Sequence, residues 1–459
     1  MALEYYIQSG GKRLRCGFTT GTCAALAAAG ATAGLLTGVL PDHMSLVTPA
    51  GVPVEVPLVR VKSGVSSVCG VHKDAGDDRD VTDGILIVAE AFCGRAGGAD
   101  SAEMICGADS GTDAAEVSRE EDSGSDDARF FDGITVQIEG GPGVGRVTKP
   151  GLDQPVGAAA INSTPRRMIE DAVRKVCRSA GYEGVLRVCI SVPGGEKIAA
   201  KTFNGHLGIE GGISILGTSG IVKPMSMQAY IDAVDVEIRQ HAAMGMRRLI
   251  LTPGNYGKNF LHEMQGKSLL MPCMQDADRQ AEEEIVSGKV SPIHCNADLR
   301  GADEILRDES VPVVMCSNFI GDALDSAGIY GFDEVLLAGH IGKMVKLAGG
   351  IMNTHSMYAD CRTDLFCAHA AVCGARTEVC REIMSAATTD ACLGILEKEG
   401  IRDAVMDSLM SAICGHISRH VRGKYRIHVI VFSNIYGILG IRTVFSDTLD
   451  TEKSCDTMN

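Results

Sequence analysis

Side chains able to do chemistry are concentrated in one stretch, LAGHIGKMVKLAGGIMNTHS, at positions 337–356. It begins as an apolar run and then places His340, Lys343 and Lys346 within two helical turns. Histidine can move a proton near neutral pH, and lysine carries a positive charge that binds carboxylates. The two lysines, three residues apart, share one face of a helix. We expect all three to contact an acidic ligand; a purely structural role in the turn is the alternative for His340.

Two further apolar runs lead into short polar loops. In LTPGNYGKNF the run ends at a Pro-Gly-Asn turn, and in VPVVMCSNFIGDAL it ends at Ser-Asn. An unalternating apolar run followed by a polar turn and a helix-like pattern is typical of βαβ units with a parallel sheet. Ligands of such sheets bind outside the carboxyl ends of the strands. The residues expected to hold a cofactor there are Gly254, Asn255, Gly257, Ser317, Asn318 and Gly339.

A glycine-rich loop, EGGPGVGRVTKPGLDQPVG at 139–157, follows a predicted strand. Gly141, Gly143 and Gly145 match the acidic-x-Gly-x-Gly-x-Gly pattern of many S-adenosylmethionine loops, in which glycine lets the backbone approach a nucleoside. The nucleotide fingerprint requires a helix directly after the loop, whereas prolines follow here. Three interpretations stay open: cofactor contact, a tight structural turn, and a loop that clamps substrate through Lys149.

Aspartates crowd the loop HKDAGDDRDVTDG at 72–84. Their spacing does not fit an EF-hand, because the glycine and the distal glutamate are misplaced. An acidic loop of this kind is often simply solvated. The functional interpretation is that Asp77 transfers a proton and that Lys73 binds a substrate carboxylate.

The segment KTFNGHLGIEGGISILGTSGIVKPMS, at 201–226, is dense in Gly, Ser and Thr. It is typical of loops pressed against a ligand, with Lys201 and Asn204 as donors, or of a pair of glycine-rich turns without a ligand. Near the N-terminus, Thr19 and Thr20 precede an Ala-rich run and can cap a helix. We include both threonines among the candidates for binding substrate.

The composition of the 459 residues excludes several classes of protein. The net charge is −15 and no basic stripe is present, which argues against nucleic-acid binding. The 17 cysteines include no Cys-x-x-Cys pair, so a structural zinc site is not expected, and reduced thiols in the cytoplasm are. The apolar stretch CAALAAAGATAGLL is shorter than the roughly 20 residues of a membrane span and predicts a buried helix.

The order of these patterns predicts an α/β protein with two domains. Residues 1–240 are expected to form an α+β domain interrupted by a disordered acidic insertion at 94–130. Residues 241–447 are expected to form a three-layer Rossmann-like domain with a mostly parallel sheet and a polar insertion at 262–308. Residues 448–459 are expected to form a loose tail.

Taken together, the motifs resemble the CbiD family, the cobalt-precorrin-5B C-1 methyltransferases of the anaerobic cobalamin pathway. The likeness extends from about residue 14 to 445 and includes LRCGFTTGTCAALAA, GGPGVGRVTKPGL and SNFIGDAL as well as the loops above, in the expected order. It implies methyl transfer from S-adenosylmethionine to ring carbon C-1 of a tetrapyrrole, in which cobalt belongs to the substrate and no protein metal site is needed.

The implied acceptor carries many acetate and propionate groups, which require lysine or arginine partners. Lysines available within the motifs are Lys73, Lys149, Lys201, Lys343 and Lys346. Asp77 or His340 would manage a proton as the ring π-system reorganises. No nucleic-acid or membrane partner is expected. A homo-oligomer and transient hand-over of the tetrapyrrole to neighbouring pathway enzymes are left open.

Two other functions compete with this interpretation. A nucleotide-dependent enzyme such as a kinase would use the glycine loop for phosphates, but no Gly-Lys-Ser/Thr sequence ends a P-loop. A non-catalytic corrinoid-binding protein would need the acidic-ligand site without a methyl donor. Binding of S-adenosylhomocysteine separates the three, because only a methyltransferase is expected to bind it.

Overall fold

The computed structural model describes residues 3–9, 11–62, 64–94, 133–202, 204–205, 207–264, 269 and 297–444. Its contacts divide the chain into two compact units, Met1–Ser226 and Met227–Asn459. The boundary precedes a helix, Met227–Ala243, which the sequence-based boundary at 240/241 would have cut. Residues 95–130 of the predicted acidic insertion and the predicted tail at 448–459 lie outside the described residues.

The first unit is built on a five-stranded sheet with strand order β6-β7-β8-β12-β9. Strand β9 is parallel to β12, and the other pairs of this sheet are antiparallel. Five short two-stranded pairs complete the unit: β1-β2, β3-β15, β4-β5, β10-β14 and β11-β13. The strands are β1 (Tyr6–Ser9), β2 (Lys12–Arg15), β3 (Gly17–Phe18), β4 (His43–Val47), β5 (Pro53–Pro57), β6 (Val59–Lys62), β7 (Ser66–His72), β8 (Leu86–Gly94), β9 (Ile134–Gly140), β10 (Gly143–Val144), β11 (Arg146–Val147), β12 (Gly184–Ser191), β13 (Ile209–Glu210), β14 (Gly212–Ile213) and β15 (Ile221–Val222).

Three helices belong to this unit: α1 (Thr20–Thr37), α2 (Ser163–Ser179) and α3 (Gly195–Ala199). Helix α1 is the predicted Ala-rich helix. It begins at the N-cap Thr19, ends at a left-handed Gly38, and packs on α2 and on strands β7 and β8. Its length and mean hydropathy of 1.2 would suffice for a membrane span, but 78% of that window is buried within the protein. The small side chains therefore serve close packing in the core.

The second unit contains a sheet of order β17-β16-β18-β19-β20. The first four strands are parallel, and β20 returns antiparallel to β19 as a hairpin. The strands are β16 (Arg248–Thr252), β17 (Val313–Met315), β18 (Glu334–His340), β19 (Arg426–Ser433) and β20 (Gly437–Val444). The helices are α4 (Met227–Ala243), α5 (Asn255–Met264), α6 (Ala297–Arg307), α7 (Ile320–Ile329), α8 (Ile341–Met344), a 3₁₀ helix (Val345–Gly349), α9 (Arg362–Val372), α10 (Thr377–Met384), α11 (Thr389–Lys398) and α12 (Arg402–Val421).

The central strands of this sheet are buried on both faces, as their unalternating apolar runs predicted. Alternate residues of β16 belong to different apolar clusters: Leu249 and Leu251 to one, and Ile250 to the other. The larger cluster includes helices α7 and α12, and the smaller one includes α6. The expectation of a mixed α/β chain is confirmed.

The predicted polar insertion at 262–308 is wrong at both of its ends. Helix α5 continues to Met264, and α6 occupies Ala297–Arg307. The side chains of Ala302, Ile305 and Leu306 are buried in the core. These positions follow the i, i+3, i+4 spacing of an amphipathic helix, which the polar composition of the surrounding stretch obscured. Residues 265–268 and 270–296 lie outside the described residues.

Candidate functional site

The parallel strands of the second unit end at one edge of the sheet. Thr252 at the end of β16 is paired in register with Met315 at the end of β17. His340 at the end of β18 is paired with Phe432 near the end of β19. The loops that follow these strands therefore lie side by side, as the strand-end argument predicted. We call the loops 253–255, 316–318 and 340–343 the strand-end loops.

Lys343 connects the strand-end loops. Its ammonium donates a hydrogen bond to the carbonyl of Ser317 at 3.1 Å. A Cβ placed on Gly254 would lie 3.3 Å from the same Nζ atom. Burial lowers the pKa of Lys343 below its ordinary value, and the charge of Lys346 acts in the same direction, while Cys316 opposes it. The ammonium thus lies over the loop after β16, where a carboxylate would satisfy its remaining N–H groups.

The glycines of these loops divide into two groups by what surrounds them. A Cβ on Gly257 would come within 1.6 Å of the Thr252 hydroxyl, and a Cβ on Gly339 within 2.5 Å of the Met344 sulfur. Those two glycines are required for packing within the protein. Gly254 has φ of +98° and open space around its missing Cβ apart from the Lys343 ammonium. A ligand can therefore approach the backbone at Gly254.

His340 is held in one tautomer by the turn that it begins. The backbone N–H of Gly342 donates to its Nδ1 at 3.1 Å, so the ring proton is on Nε2. Burial lowers the pKa of His340, and the charge of Asp390 only partly offsets this. The ring lies 5.2 Å from that of Tyr256 and meets Phe432 edge-on at 5.7 Å between centroids. At neutral pH His340 is an uncharged hydrogen-bond donor through Nε2–H.

Lys346 does not share the face of Lys343, contrary to the helical-face argument. Helix α8 ends at Met344 and the chain tightens into a 3₁₀ helix, which turns Lys346 inward. The side chain is 3% exposed and donates to the carbonyls of Thr354 at 3.2 Å and Ala359 at 2.8 Å. The expected role of Lys346 in binding substrate is therefore replaced by a structural one.

The two asparagines of the strand-end loops differ in the same way. The Asn318 side-chain oxygen accepts a hydrogen bond from the Thr354 hydroxyl at 3.2 Å, and its carbonyl accepts one from the Thr354 N–H at 2.9 Å. Asn318 thus anchors a neighbouring loop. Asn255 is exposed at the first position of α5. Ser317 adopts a left-handed φ of +53°, which directs its carbonyl toward Lys343.

In the first unit, the aspartate loop mostly binds itself. The Lys73 ammonium is 3% exposed, pairs with Asp80 and donates to the Thr82 hydroxyl at 2.8 Å. Burial raises the pKa of Asp80, but the Lys73 charge and the Thr82 hydrogen bonds outweigh it and the pKa is lowered. Lys73 is therefore used internally, and the expectation that it binds substrate is not supported.

Asp74 and Asp77 hold the same arginine strand. Arg15 donates to both Asp74 oxygens, at 2.6 and 2.8 Å, and this hydrogen bonding lowers the pKa of Asp74. Asp77 is exposed and accepts the backbone N–H of Arg15 through Oδ2 at 2.6 Å. Among the described residues no hydrogen bond reaches Oδ1 of Asp77, so this oxygen is open to solvent or to a ligand.

Three polar candidates of the first unit are satisfied within the protein. Thr19 caps α1 by accepting the Thr22 N–H at 3.3 Å, and the Thr20 hydroxyl accepts the Leu216 N–H at 2.9 Å. Asn204 accepts from the Ser214 hydroxyl at 3.3 Å. Each of the three is buried, so the structure gives them roles in joining α1 and the 204–220 segment rather than in binding substrate.

The tight-turn interpretation accounts for the glycine-rich loop. A Cβ on Gly141 would lie 2.4 Å from the Ser191 hydroxyl, one on Gly143 would lie 1.9 Å from the Val192 carbonyl, and one on Gly145 would lie 2.4 Å from Ile209. All three glycines thus accommodate protein atoms, and the cofactor contact expected there is not supported. Nearby, Lys149 is half-buried against Gly208, and Lys201 is exposed.

The two ends of the chain match separate family models. Residues 7–224 match the model described as CbiD, and residues 353–443 match the model described as CbiD, C-terminal domain. A curated relative from Ruminiclostridium cellulolyticum is 37% identical over 434 residues, covering 94% of this chain and 92% of its own. The chain belongs to the CbiD family.

Other CbiD relatives match over a similar length. One from Thermoanaerobacter sp. (strain X514) is 37% identical over 95% of this chain and 98% of its own, and one from Tolumonas auensis is 34% identical over 96% of each. All three relatives are named cobalt-precorrin-5B C(1)-methyltransferase. A crystal structure of a cobalamin biosynthesis protein (cbiD) from Archaeoglobus fulgidus is 25% identical, covers 75% of this chain and 83% of its own, and has a TM-score of 0.34.

Two groups at the strand ends of this CbiD protein escaped the sequence analysis. Tyr256 is 60% exposed beside His340 and lay unnoticed within the GNYGK motif. Asp390 accepts the Ser433 hydroxyl at 2.5 Å and acts electrostatically on His340. No local pattern marks Asp390, because only the fold brings α11 to this edge.

Proposed function

We propose that this chain is an S-adenosylmethionine-dependent methyltransferase that methylates C-1 of cobalt-precorrin-5B and releases cobalt-precorrin-6A and S-adenosylhomocysteine. The observation that carries the proposal is the 37% identity to a cobalt-precorrin-5B C(1)-methyltransferase over 94% of this chain. Cobalt enters with the substrate. The relatives' names support this function rather than that of a nucleotide-dependent enzyme or of a corrinoid carrier.

We infer that the methyl donor binds at the strand-end loops of the second unit, which we assign to the Rossmann-like class. The open backbone at Gly254 leaves room for a nucleoside to approach. The exposed ring of Tyr256 supplies a flat surface for a purine, since offset stacking is favourable for aromatic pairs. Nε2–H of His340 supplies a donor at the same edge. The donor brings an activated methyl group; these residues bind and orient it.

Lys343 is suited to a carboxylate rather than to the sulfonium. A positive ammonium over Gly254 repels a cationic sulfur and attracts an anion. The partner of Lys343 is therefore either the carboxylate of the donor's amino acid portion or an acetate or propionate arm of the tetrapyrrole. Binding either one aligns donor and acceptor, and alignment alone can lower a barrier by about 7–11 kcal/mol in model reactions.

In methyl transfer, ring electrons form the new bond from C-1 to the methyl carbon and the sulfur keeps the pair of the broken bond. A proton released as the ring reorganises needs an acceptor. His340 is poorly suited to accept it, because its Nδ1 accepts from Gly342 and its Nε2 already carries hydrogen. We assign proton transfer to Asp77, whose Oδ1 is open, and hydrogen-bond donation to His340. Among the surface lysines, Lys149 and Lys201 remain proposed contacts for substrate carboxylates.

The reaction can be tested directly with the purified protein, cobalt-precorrin-5B and S-adenosylmethionine labelled with deuterium in its methyl group. Mass spectrometry is expected to show one labelled methyl group added to the tetrapyrrole, and NMR is expected to place it at C-1. A product methylated at another carbon, or no transfer from a protein that binds both reactants, would overturn the proposal. We place the reaction in the cytoplasm; hand-over to neighbouring enzymes and a homo-oligomeric state are further proposals.

A further inference from the structure

A cavity of about 150 Å³ lies in the second unit, where helices α9 and α11 begin. Its lining includes the first residue of α9, Arg362, and the first residue of α11, Thr389. A Cβ on Gly342, next to the turn of His340, would lie 3.7 Å from the Thr389 hydroxyl. The cavity therefore adjoins the strand-end loops but is separate from the residues assigned above.

The Thr389 hydroxyl is the first sign that the cavity takes a ligand. Thr389 is 5% exposed, and within the described part of the chain its hydroxyl makes no hydrogen bond. The neighbouring Thr388 differs, because its hydroxyl already accepts the Ala391 N–H at 3.1 Å and caps α11. A buried hydroxyl that faces a cavity without a partner loses a hydrogen bond unless a ligand supplies one.

The charges around the cavity favour an anion. Arg362 donates to both oxygens of Asp360, at 2.6 and 2.8 Å, and the Lys346 ammonium lies 3.9 Å from the same carboxylate. Two cations and one anion leave a net charge of +1. The thiol of Cys392 adds no charge, since burial raises its pKa to about 11. The N-termini of α9 and α11 add partial positive charge.

The size of the cavity limits what the anion can be. Sites for drug-sized or nucleoside-sized ligands measure roughly 300–1,000 Å³. A cavity of about 150 Å³ accommodates a carboxylate with a short carbon chain. Both reactants of the proposed function carry such a group: the tetrapyrrole has acetate and propionate arms, and the methyl donor has an amino acid carboxylate.

We propose that the cavity between the starts of α9 and α11 binds one carboxylate of a bound reactant, with Thr389 and Arg362 as its donors. The proposal rests on the proposed function for the identity of the reactants. It adds a binding contact on the side of the His340 turn opposite to no other assigned group, and it gives the α9–α11 segment a role in holding a reactant in place.

The test compares Thr389→Val, which removes the hydroxyl and keeps the shape, with Thr377→Val. Thr377 is the first residue of α10 and is exposed, so it is a matched control. Calorimetry would measure binding of S-adenosylhomocysteine, of methylthioadenosine, which lacks the carboxylate, and of a cobalt corrinoid polycarboxylate. Arg362→Gln provides a second variant, and thermal unfolding would show that each protein is folded.

Loss of one hydrogen bond to a charged group corresponds to roughly tenfold weaker binding. If Thr389→Val and Arg362→Gln weaken S-adenosylhomocysteine binding and leave methylthioadenosine unchanged, the donor carboxylate occupies the cavity. If they weaken only the corrinoid, a substrate arm occupies it. Unchanged affinity for both carboxylate ligands in the two folded variants would overturn the proposal. Failure of the wild-type protein to bind S-adenosylhomocysteine at all would instead count against the proposed function.

Discussion

The ammonium of Lys343 donates a hydrogen bond to the carbonyl of Ser317 at 3.1 Å and thereby joins the loops after two strands of the parallel sheet. Ser317 presents that carbonyl from a left-handed backbone conformation, at φ of +53°. The same ammonium lies over Gly254, where the backbone is open. A single cation therefore connects the strand-end loops and marks where an anionic group of a ligand would bind.

Replacing Lys343 by Met should weaken binding of carboxylate ligands by roughly ten- to hundredfold, since hydrogen bonds to charged groups contribute about 1.5–3 kcal/mol. Because burial lowers the pKa of Lys343 from the ordinary 10.5, wild-type affinity should fall as the pH rises through this lowered pKa. Lys343→Arg keeps its charge at high pH, so its affinity should persist there. Calorimetry between pH 7 and the alkaline limit of stability checks both; identical pH profiles would contradict the assignment.

Replacing Lys346 by Met should destabilise the protein instead of weakening ligand binding directly. The substitution leaves the carbonyls of Thr354 and Ala359 without their donor, at a cost of about 1–3 kcal/mol. Urea unfolding would measure the loss, with Lys343→Met as the matched control, which should change stability much less. If Lys346→Met were as stable as the wild type, the internal role of this lysine would be wrong.

Two glycines of one loop should respond differently to alanine. Gly257→Ala places a Cβ 1.6 Å from the Thr252 hydroxyl and should cost at least about 3 kcal/mol through overpacking. Gly254→Ala meets open space and bears only the strain of its positive φ, about 1 kcal/mol. It should stay folded while binding S-adenosylhomocysteine more weakly. Thermal unfolding and calorimetry on the pair decide the matter; equal stability of the two variants would argue against this distinction.

His340 combines a capping role with a proposed binding role, and substitutions can separate the two. His340→Asn keeps a side-chain acceptor for the Gly342 N–H and should retain stability, whereas His340→Ala should lose about 1 kcal/mol. Both should weaken ligand binding, because both lose Nε2–H. As the pH falls below the ordinary pKa of 6.5, the unfolded chain binds a proton first, since burial lowers the folded-state pKa, so this histidine's contribution to stability declines.

Asp77→Asn tests the assignment of proton transfer. The amide oxygen can still accept the Arg15 N–H, so folding should be unchanged, but the side chain no longer accepts a proton. Turnover should fall at least about a hundredfold, within the range typical of general base catalysis, with little change in substrate affinity. Asp78→Asn, at the neighbouring position, serves as the control. Normal turnover by folded Asp77→Asn would remove this residue from the mechanism.

The sequence predicted the strands and their order well because buried parallel strands leave long apolar runs that end in polar turns. It also placed Gly254, Lys343 and His340 at one sheet edge, where the structure has them. It failed where one letter serves two purposes. A glycine that accommodates a protein atom, such as Gly143, and one that faces open space look alike in a sequence.

The lysines illustrate a second limit of sequence analysis. Spacing alone put Lys343 and Lys346 on one helical face, but the change from α8 to a 3₁₀ helix turned Lys346 into the core. Lys73 was similarly taken for a surface cation, although the pairing with Asp80 holds it inside. Asp390 and Thr389 come to the site from far along the chain, so only the packing of α11 reveals them.

The most direct test of the central claim is a crystal structure of the protein with S-adenosylhomocysteine. We expect its nucleoside at the strand-end loops, with the purine near Tyr256 and the backbone of Gly254 in contact with the ligand. Density for the nucleoside against the glycine-rich loop at Gly141, Gly143 and Gly145 would contradict the assignment of the donor site to the second unit.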